Sequence, residues 1–582
     1  MAALTSSQGA NTVQSTNNGA GSSSLTFSNV VARTAGSSAN FVVSGGTNGS
    51  TNKIVFTQVA GAAPTTGALL DKGYYFNGAD FAAYDASGYV RALAYGTDTN
   101  SAAVDTITAS NNVKLSTTPG SNQNTISLLT LNLSGSGTSW VQNASQTLTL
   151  SSGGLIKSGG GTGGVISGGT GMTTGGSTEL VIRTDTSSDA LDIQTPILST
   201  STGGLTKDGA GTLTLSATGN AYTGATNINE GTVNLTGTMT GGGALTVSNA
   251  TFNVSNNLTA GLITVGNRSG VSTMNLTSGT VTASGVNIAN SSTGTDSATG
   301  TVNISGGTLT STGDVAVALG GTQTGKLVMN GGTLNVGTTA TKWMEVGDYD
   351  YSNGEVDLNS GTLNLNTNTA IKFSANGSAG TSVFNQNGGT VTFYSGNAAT
   401  VGGTGDLDLQ KGGTSATNNT YNLNGGTLIV PQVDSSLTTG SRTFNFNGGT
   451  LKAAKANTTF FNLGTGTTRA NVRNGGAIID TNGLAVTISQ ALLHSNVSGD
   501  NATDGGLTKN GTGTLTLTGT STYTGGTTVN AGGLTLTGTA KLGTGSVAVT
   551  DGATLTLGSG AETSVNYVDD LRALCSQARR RC

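Results

Sequence analysis

An all-β solenoid is the fold class this sequence predicts, from an internal repeat, a two-residue apolar period within it, and a composition poor in helix formers. The stretch Gly203–Gly237, GGLTKDGAGTLTLSATGNAYTGATNINEGTVNLTG, returns as a near copy at Gly505–Gly538. A diverged opening, GGLIKSGGGTGG, begins at Gly153. In the TLTL of the second copy, Leu515 and Leu517 point one way and Thr514 and Thr516 the other, the period of a strand with one buried face. A segment this short cannot shelter its apolar row alone. It needs a similar segment above and below it, which stacked repeats supply.

Composition agrees and excludes several function classes. The 582 residues include 94 glycines with no strict period of three, which rules out a collagen helix. Apolar residues reach 34% against 9% charged, and only 4 prolines occur, so the chain is not of the disordered type. A net charge of -4, with no basic stripe before the last few residues, excludes phosphate-neutralising nucleic-acid binding. No apolar run approaches the roughly 18 residues of a membrane helix. The N-terminus MAALTSSQGANTV lacks a basic stretch followed by an apolar core, so the chain reads as a mature form without a signal peptide. The body up to Gly560 has no cysteine, and Cys575 and Cys582 lie too far apart on a continuous helix to pair.

The pattern GGLTKxGxGTLTL followed by YTGxTxVNxGxLxLxG resembles the autotransporter-associated β-strand repeat of bacterial passenger domains. The resemblance is close over Gly203–Gly237 and Gly505–Gly538 and partial at Gly153; GGVISGG, ELVIRTD and the aromatic stretch Gly73–Tyr95 are also similar to large secreted proteins with this repeat. It implies one long right-handed parallel β-helix, exported to the bacterial cell surface or beyond. It implies no particular ligand, because the repeat is a scaffold and an aid to export.

Along the chain, residues 1–150 read as N-terminal coils with an aromatic segment at 73–95 containing Tyr74, Tyr75, Phe76, Phe81, Tyr84, Tyr89 and Tyr95. The favoured reading of that segment is a loop or cap packed on the first coils. The alternative is a surface of Tyr74, Tyr75, Phe76, Tyr84 and Tyr89 on which sugar rings stack. Residues 151–240 carry autotransporter-type coils. Residues 241–500 carry a looser repeat, with cores starting at Met274, Val302, Leu327, Val356, Phe384, Tyr421, Phe444 and Asn471. Their spacing of about 23 to 37 residues suits one coil each. In YNLNGGTLIV, Tyr421, Leu423, Leu428 and Val430 face inward, Asn422 and Ile429 outward, and Asn424 precedes a Gly-Gly corner. Asn330, Asn359, Asn387, Asn447 and Asn474 hold the equivalent position, so stacked coils are expected to form an asparagine ladder. Thr277 and Ser305 stand there in the first two coils, so the ladder starts at Asn330. Residues 501–560 return to autotransporter-type coils. The tail 561–582 breaks the pattern: Val565, Val568, Leu571 and Cys575 recur at helical spacing, ahead of three arginines. It is read as a capping helix or a junction. No barrel-type run of strands follows Gly560.

Enzymatic β-helices need charged residues gathered on one outer face. The densest acidic stretch holds Glu345, Asp348, Asp350, Glu355 and Asp357, and is read as a solvated loop without a calcium motif. Lys207 and Lys509 belong to the repeat and are read as structural. His494, the single histidine, has no evident nucleophile beside it. The expected function is therefore a non-enzymatic surface or extracellular scaffold or adhesin-like passenger. No catalytic residue, cofactor or metal is assigned. The expected partners are further copies of the chain or surface glycans, with no nucleic acid. The alternatives are a fibre subunit stacking end to end and a carbohydrate-active β-helix.

Overall fold

A computed structural model describes all residues except 1, 162, 291–296, 338–340, 349–350, 375–378, 395–404, 413–415, 438–439 and 562–582. The described residues form strands and turns with no α-helix, and the sheets are parallel apart from one small antiparallel extension. The expectation for the tail falls on residues outside that description. By contacts the chain divides into two units, Met1–Ile263 with Gly270–Val281, and Thr264–Ser269 with Thr282–Cys582.

The first unit contains two stacks. The smaller pairs Gly9–Thr16 with Ser37–Ser44 and then Tyr74–Phe76 on one face, and Ser23–Phe27 with Asn52–Phe56 on another. Its chain then turns back, so that Asp80–Tyr84 and Val90–Ala92 add antiparallel strands. Phe41, Phe56, Tyr74 and Tyr84 fill its core, with ring centroids 5.2 to 6.0 Å apart. The larger stack begins at Asn112–Leu115. One sheet runs through Ile126–Ser134, Thr147–Ser158, Leu180–Thr184, Leu205–Asp208, Thr226–Ile228 and Leu245–Val247. The other runs from Trp140–Gln142 through Gly164–Gly168, Ala190–Ile193, Thr212–Leu215, Gly231–Leu235 and Ala250–Val254.

The second unit has three strands to the coil over most of its length. One coil is made of the two halves of Thr324–Val336, bent at Gly331–Gly332, and Lys342–Val346. Each pairs in register with its counterpart one coil on, Leu327 with Val356, Leu334 with Leu363 and Met344 with Ile371. The bend repeats in a column. Gly332, Gly361, Gly389 and Gly426 all have positive φ, and a Cβ on Gly426 would lie 2.1 Å from the Gly389 carbonyl oxygen. Neither the conformation nor the space admits a side chain there, so the GGT sequence is a consequence of corners nesting into corners. Inward rows are fully buried, Leu327, Val356, Phe384, Tyr421 and Phe444 in one of them. Rows like these are what stacking removes from water, at about 25 cal/mol per Å² of apolar surface.

Candidate functional site in the repeat corners and their lateral clamp

The repeat lysines sit inside. Lys207 is fully buried on Leu205–Asp208, and its Nζ donates to the backbone oxygens of Asp208 at 2.8 Å, Gly209 at 2.6 Å and Glu230 at 3.1 Å. Lys509 does the same in the second unit. It donates to Thr481 Oγ1 at 3.0 Å and to the oxygens of Asn510 at 3.0 Å, Gly511 at 2.6 Å and Ala531 at 2.9 Å. Lys157, in the diverged copy, donates to Gly135 and Ser158 oxygens. Each lysine therefore ties its own Lys-x-Gly turn to the coil that follows or precedes it. Burial, opposed by Asp208 and Glu230, brings Lys207 down to about 7, and burial opposed by Asp480 brings Lys509 to about 8. Such groups satisfy carbonyls that a tight corner would otherwise leave bare.

Asp504, before the last GGLTK, ties two coils together. Its carboxylate accepts the N–H groups of Gly506 at 3.0 Å, Thr524 at 2.8 Å and Gly525 at 2.8 Å, and lies 2.8 Å from His494 Nδ1. Burial pushes Asp504 up, but the Thr524 N–H, His494 and the two glycine N–H groups outweigh it and hold it below its ordinary value. A carboxylate depressed in the folded state stabilises above its unfolded pKa of about 3.9 and loses that contribution as pH falls through the lower folded value. Acidification below about pH 4 is therefore expected to raise amide exchange around Gly506 and Gly525 in the native chain. In Asp504→Asn, that acid-dependent increase should be absent. His494 meets both Asp504 and the Thr524 hydroxyl at Nδ1, among the described residues no serine or cysteine bonds its ring, and its neighbour Ser495 is turned to Asp500.

The aromatic segment does not present a sugar-stacking face. Tyr74, Tyr75 and Tyr84 are 3%, 0% and 5% exposed. Phe76 is half-buried against the small stack's core, and Tyr89 packs its ring over Gly49. The reading failed because seven aromatics in one segment are enough to build a core of their own. Part of that core is a lateral clamp on the larger stack, where Tyr75, Phe81, Ala83 and Leu93 pack on Ile156 and Val181. Ionic contacts frame it. Arg33 bonds Glu179 and Asp71 at 2.7 Å each, Glu179 also accepts the Gly36 N–H at 2.7 Å, and Arg183 reaches the Gly78 oxygen at 2.9 Å. The Glu179→Gln variant should cost about 1–3 kcal/mol, because an amide cannot accept from all of these donors. The check is faster proteolysis within residues 1–95, with the coils beyond Leu245, away from the Thr206 hydroxyl that also donates to Glu179, unaffected.

Five of the six corner asparagines meet. Asn359 donates to Asn330 at 2.8 Å, Asn387 to Asn359 at 2.8 Å, Asn424 to Asn387 at 2.9 Å and Asn447 to Asn424 at 3.1 Å. Asn474 stands apart, accepting the Asn501 N–H, while Asn447 accepts the Gly475 N–H. A second ladder that sequence reasoning missed runs outside the neighbouring strand, from Asp357 through Asn385, Asn422 and Asn445 to Asn471, at 2.6 to 2.8 Å per step. Its signal was the Asn or Asp flanked by two inward-facing residues in VDL, FNQ, YNL, FNF and ANV. The first unit has a shorter one, Asn234, Asn253 and Asn275.

Charges do gather on one outward row of the second unit. Glu345, Lys372, Asp408 and Asp434 are register partners on successive coils, and Asp406 lies beside them. Sequence reading missed the row because each coil contributes one member. None is open to a substrate, since exposure ranges from 0% to 8%. Glu345 and Asp348 are buried too, which corrects the solvated-loop expectation for them; Asp350 lies outside the described residues. Burial, reinforced by Asp348, raises Glu345, and burial reinforced by Asp408 raises Asp406. Lys372 rests 4.3 Å above the Trp343 ring. Among the described residues no cluster of three or more His, Cys, Asp or Glu is arranged to hold a metal, and no helix is long and apolar enough to cross a membrane.

Comparison with known families places the passenger-associated-transport-repeat at residues 205–235 and 507–536. These are the two segments that bury Lys207 and Lys509. Comparisons with curated proteins and with solved structures return no match.

Proposed function

We propose, on the premise that the chain carries two passenger-associated transport repeats, that it is the passenger of an autotransporter, secreted or displayed at the cell surface. Its solenoid serves as a non-catalytic scaffold, with adhesion through its neutral outer faces of Thr, Ser and Asn. One observation carries the scaffold reading. The groups best suited to chemistry are consumed in holding coils together, Lys207 and Lys509 by backbone carbonyls and Asp504 by backbone N–H groups. The test is incubation with neutral and acidic glycans, with and without Ca²⁺. No new reducing ends or unsaturated products should form, and their appearance would replace this reading by a carbohydrate-active one. Protease treatment of intact producing cells should remove the chain if it is surface-displayed, or find it already in the medium if it is released.

A further inference from the structure

Two aspartates share one strand face in the second unit, and the donors around them serve only one. Asp406 and Asp408 flank the inward Leu407, so both side chains leave the strand on its outward side. Both are 0% exposed. Asp408 is provided for as an anion: it accepts the Gln410 N–H at 3.0 Å, the Ser436 N–H at 3.1 Å and the Ser436 hydroxyl. For Asp406, among the described residues, neither side-chain oxygen has a hydrogen-bond partner.

Register explains the difference. Leu407 pairs with Ile371 on the coil before and Val433 on the coil after, which sets Asp406 against Ala370 and Gln432. Alanine has no donor. Gln432 turns its amide nitrogen to Asp434 at 2.9 Å, and its oxygen accepts from Asn457 at 3.1 Å. The charged groups nearby are Asp408 on the same strand, Lys411 just beyond it, Lys372 and Glu345 on the coils before, and Asp434 and Arg442 after. Lys372 lies over the Trp343 ring, and Arg442 donates to the backbone oxygens of Leu437 and Thr465. Neither cation donates to Asp406.

A buried carboxylate without donors costs far more than the neutral acid. We propose that Asp406 keeps its proton in the folded chain and acts as a latch, its coils closed while it is neutral and loosened when base takes the proton. Burial first, and then the charge of Asp408, raise Asp406 against the pull of Lys372. The folded chain therefore holds a proton that the unfolded chain releases above about pH 4. That contribution is full below the unfolded value and is lost as pH rises through the folded one, the reverse of Asp504. The latch is independent of the scaffold reading.

The experiment is amide exchange on the full chain at about pH 5 and about pH 8, corrected for the intrinsic effect of pH on exchange. Protection over Thr369–Phe373 and Val433–Asp434 should be at least about ten-fold greater at the lower pH, the change one proton makes per pH unit. Ala250–Val254, a strand without titratable groups, should show no such ratio. Asp406→Asn, neutral at both pH values and of the same shape, should keep its protection at the higher pH over Val433–Asp434, three coils on from Glu345. A measurement on the parent alone guards against a variant that fails to fold. Its infrared spectrum near about pH 6 should carry the carbonyl band of a protonated carboxylic acid, which surface Asp and Glu, ionised there, do not give. Equal protection at the two pH values, greater protection at the higher one, an Asp406→Asn chain that loosens as the parent does, or no acid band would each overturn the proposal.

Discussion

Replacing Lys509 by methionine is expected to destabilise the last repeat by about 4 kcal/mol, since each buried acceptor left without a donor costs about 1–3 kcal/mol. Three backbone carbonyls and the Thr481 hydroxyl lose their shared partner at once, and the methionine stem restores only the packing of the methylenes. The loss is local, because in a stack each coil touches only its neighbours. Amide exchange over residues 507–536 should therefore accelerate by roughly a thousand-fold, at 1.4 kcal/mol per decade, while exchange over Thr324–Val336 stays unchanged. Lys541, exposed on the following coil, is the control, and its methionine variant should stay within about 0.5 kcal/mol of the parent. Unchanged protection in Lys509→Met would mean that the carbonyls find water, and the lysine would lose its role as a staple.

The second large effect belongs to Phe444→Ala, at about 3–5 kcal/mol for the cavity and lost transfer energy. Phe444 is fully buried, with Tyr421 stacked at 5.2 Å and 5°, Phe446 at 4.6 Å, and Phe461 edge-on at 5.2 Å. Tyr421 in turn stacks on Phe384 at 4.8 Å and donates to Gln386 at 2.7 Å. Removing Phe444 takes the end ring from a column of three, so about 0.5–1.5 kcal/mol for each ring pair lost adds to the cavity term. Urea unfolding followed by near-ultraviolet circular dichroism should shift its midpoint and lose tyrosine signal in the native baseline. Phe444→Leu, which fills most of the volume, should cost under about 1.5 kcal/mol. Equal losses for the two variants would show that stacking geometry outweighs volume there.

Local pattern made the strands readable. Leu515 and Leu517 against Thr514 and Thr516, and Tyr421 and Leu423 against Asn422, sort inward from outward as the period of two requires. The corner asparagines were legible because each precedes a Gly-Gly turn, or Ser-Gly after Asn359, that only stacked corners demand. Asn474 departs from the ladder because its neighbourhood brings it the Asn501 N–H, a contact across 27 residues that no pattern encodes. The aromatic segment was read as a cap or a sugar surface, yet its antiparallel return and its seat on Ile156 and Val181 depend on a partner more than 60 residues away.

By itself, the sequence determined that this chain is a parallel stack of coils. Side-chain alternation and Gly-Gly punctuation are properties of single strands and turns, written in consecutive residues. Tertiary structure alone decided which groups meet across coils: the carbonyl seats of Lys207 and Lys509, the sealed row of Glu345, Lys372, Asp408 and Asp434, and the clamp on the first unit. The physical reason is that those contacts form along the stacking direction. Neighbours there are about 4.8 Å apart in space, while 20 to 37 residues of chain separate them, as from Asp504 to Thr524 and from Asn387 to Asn424.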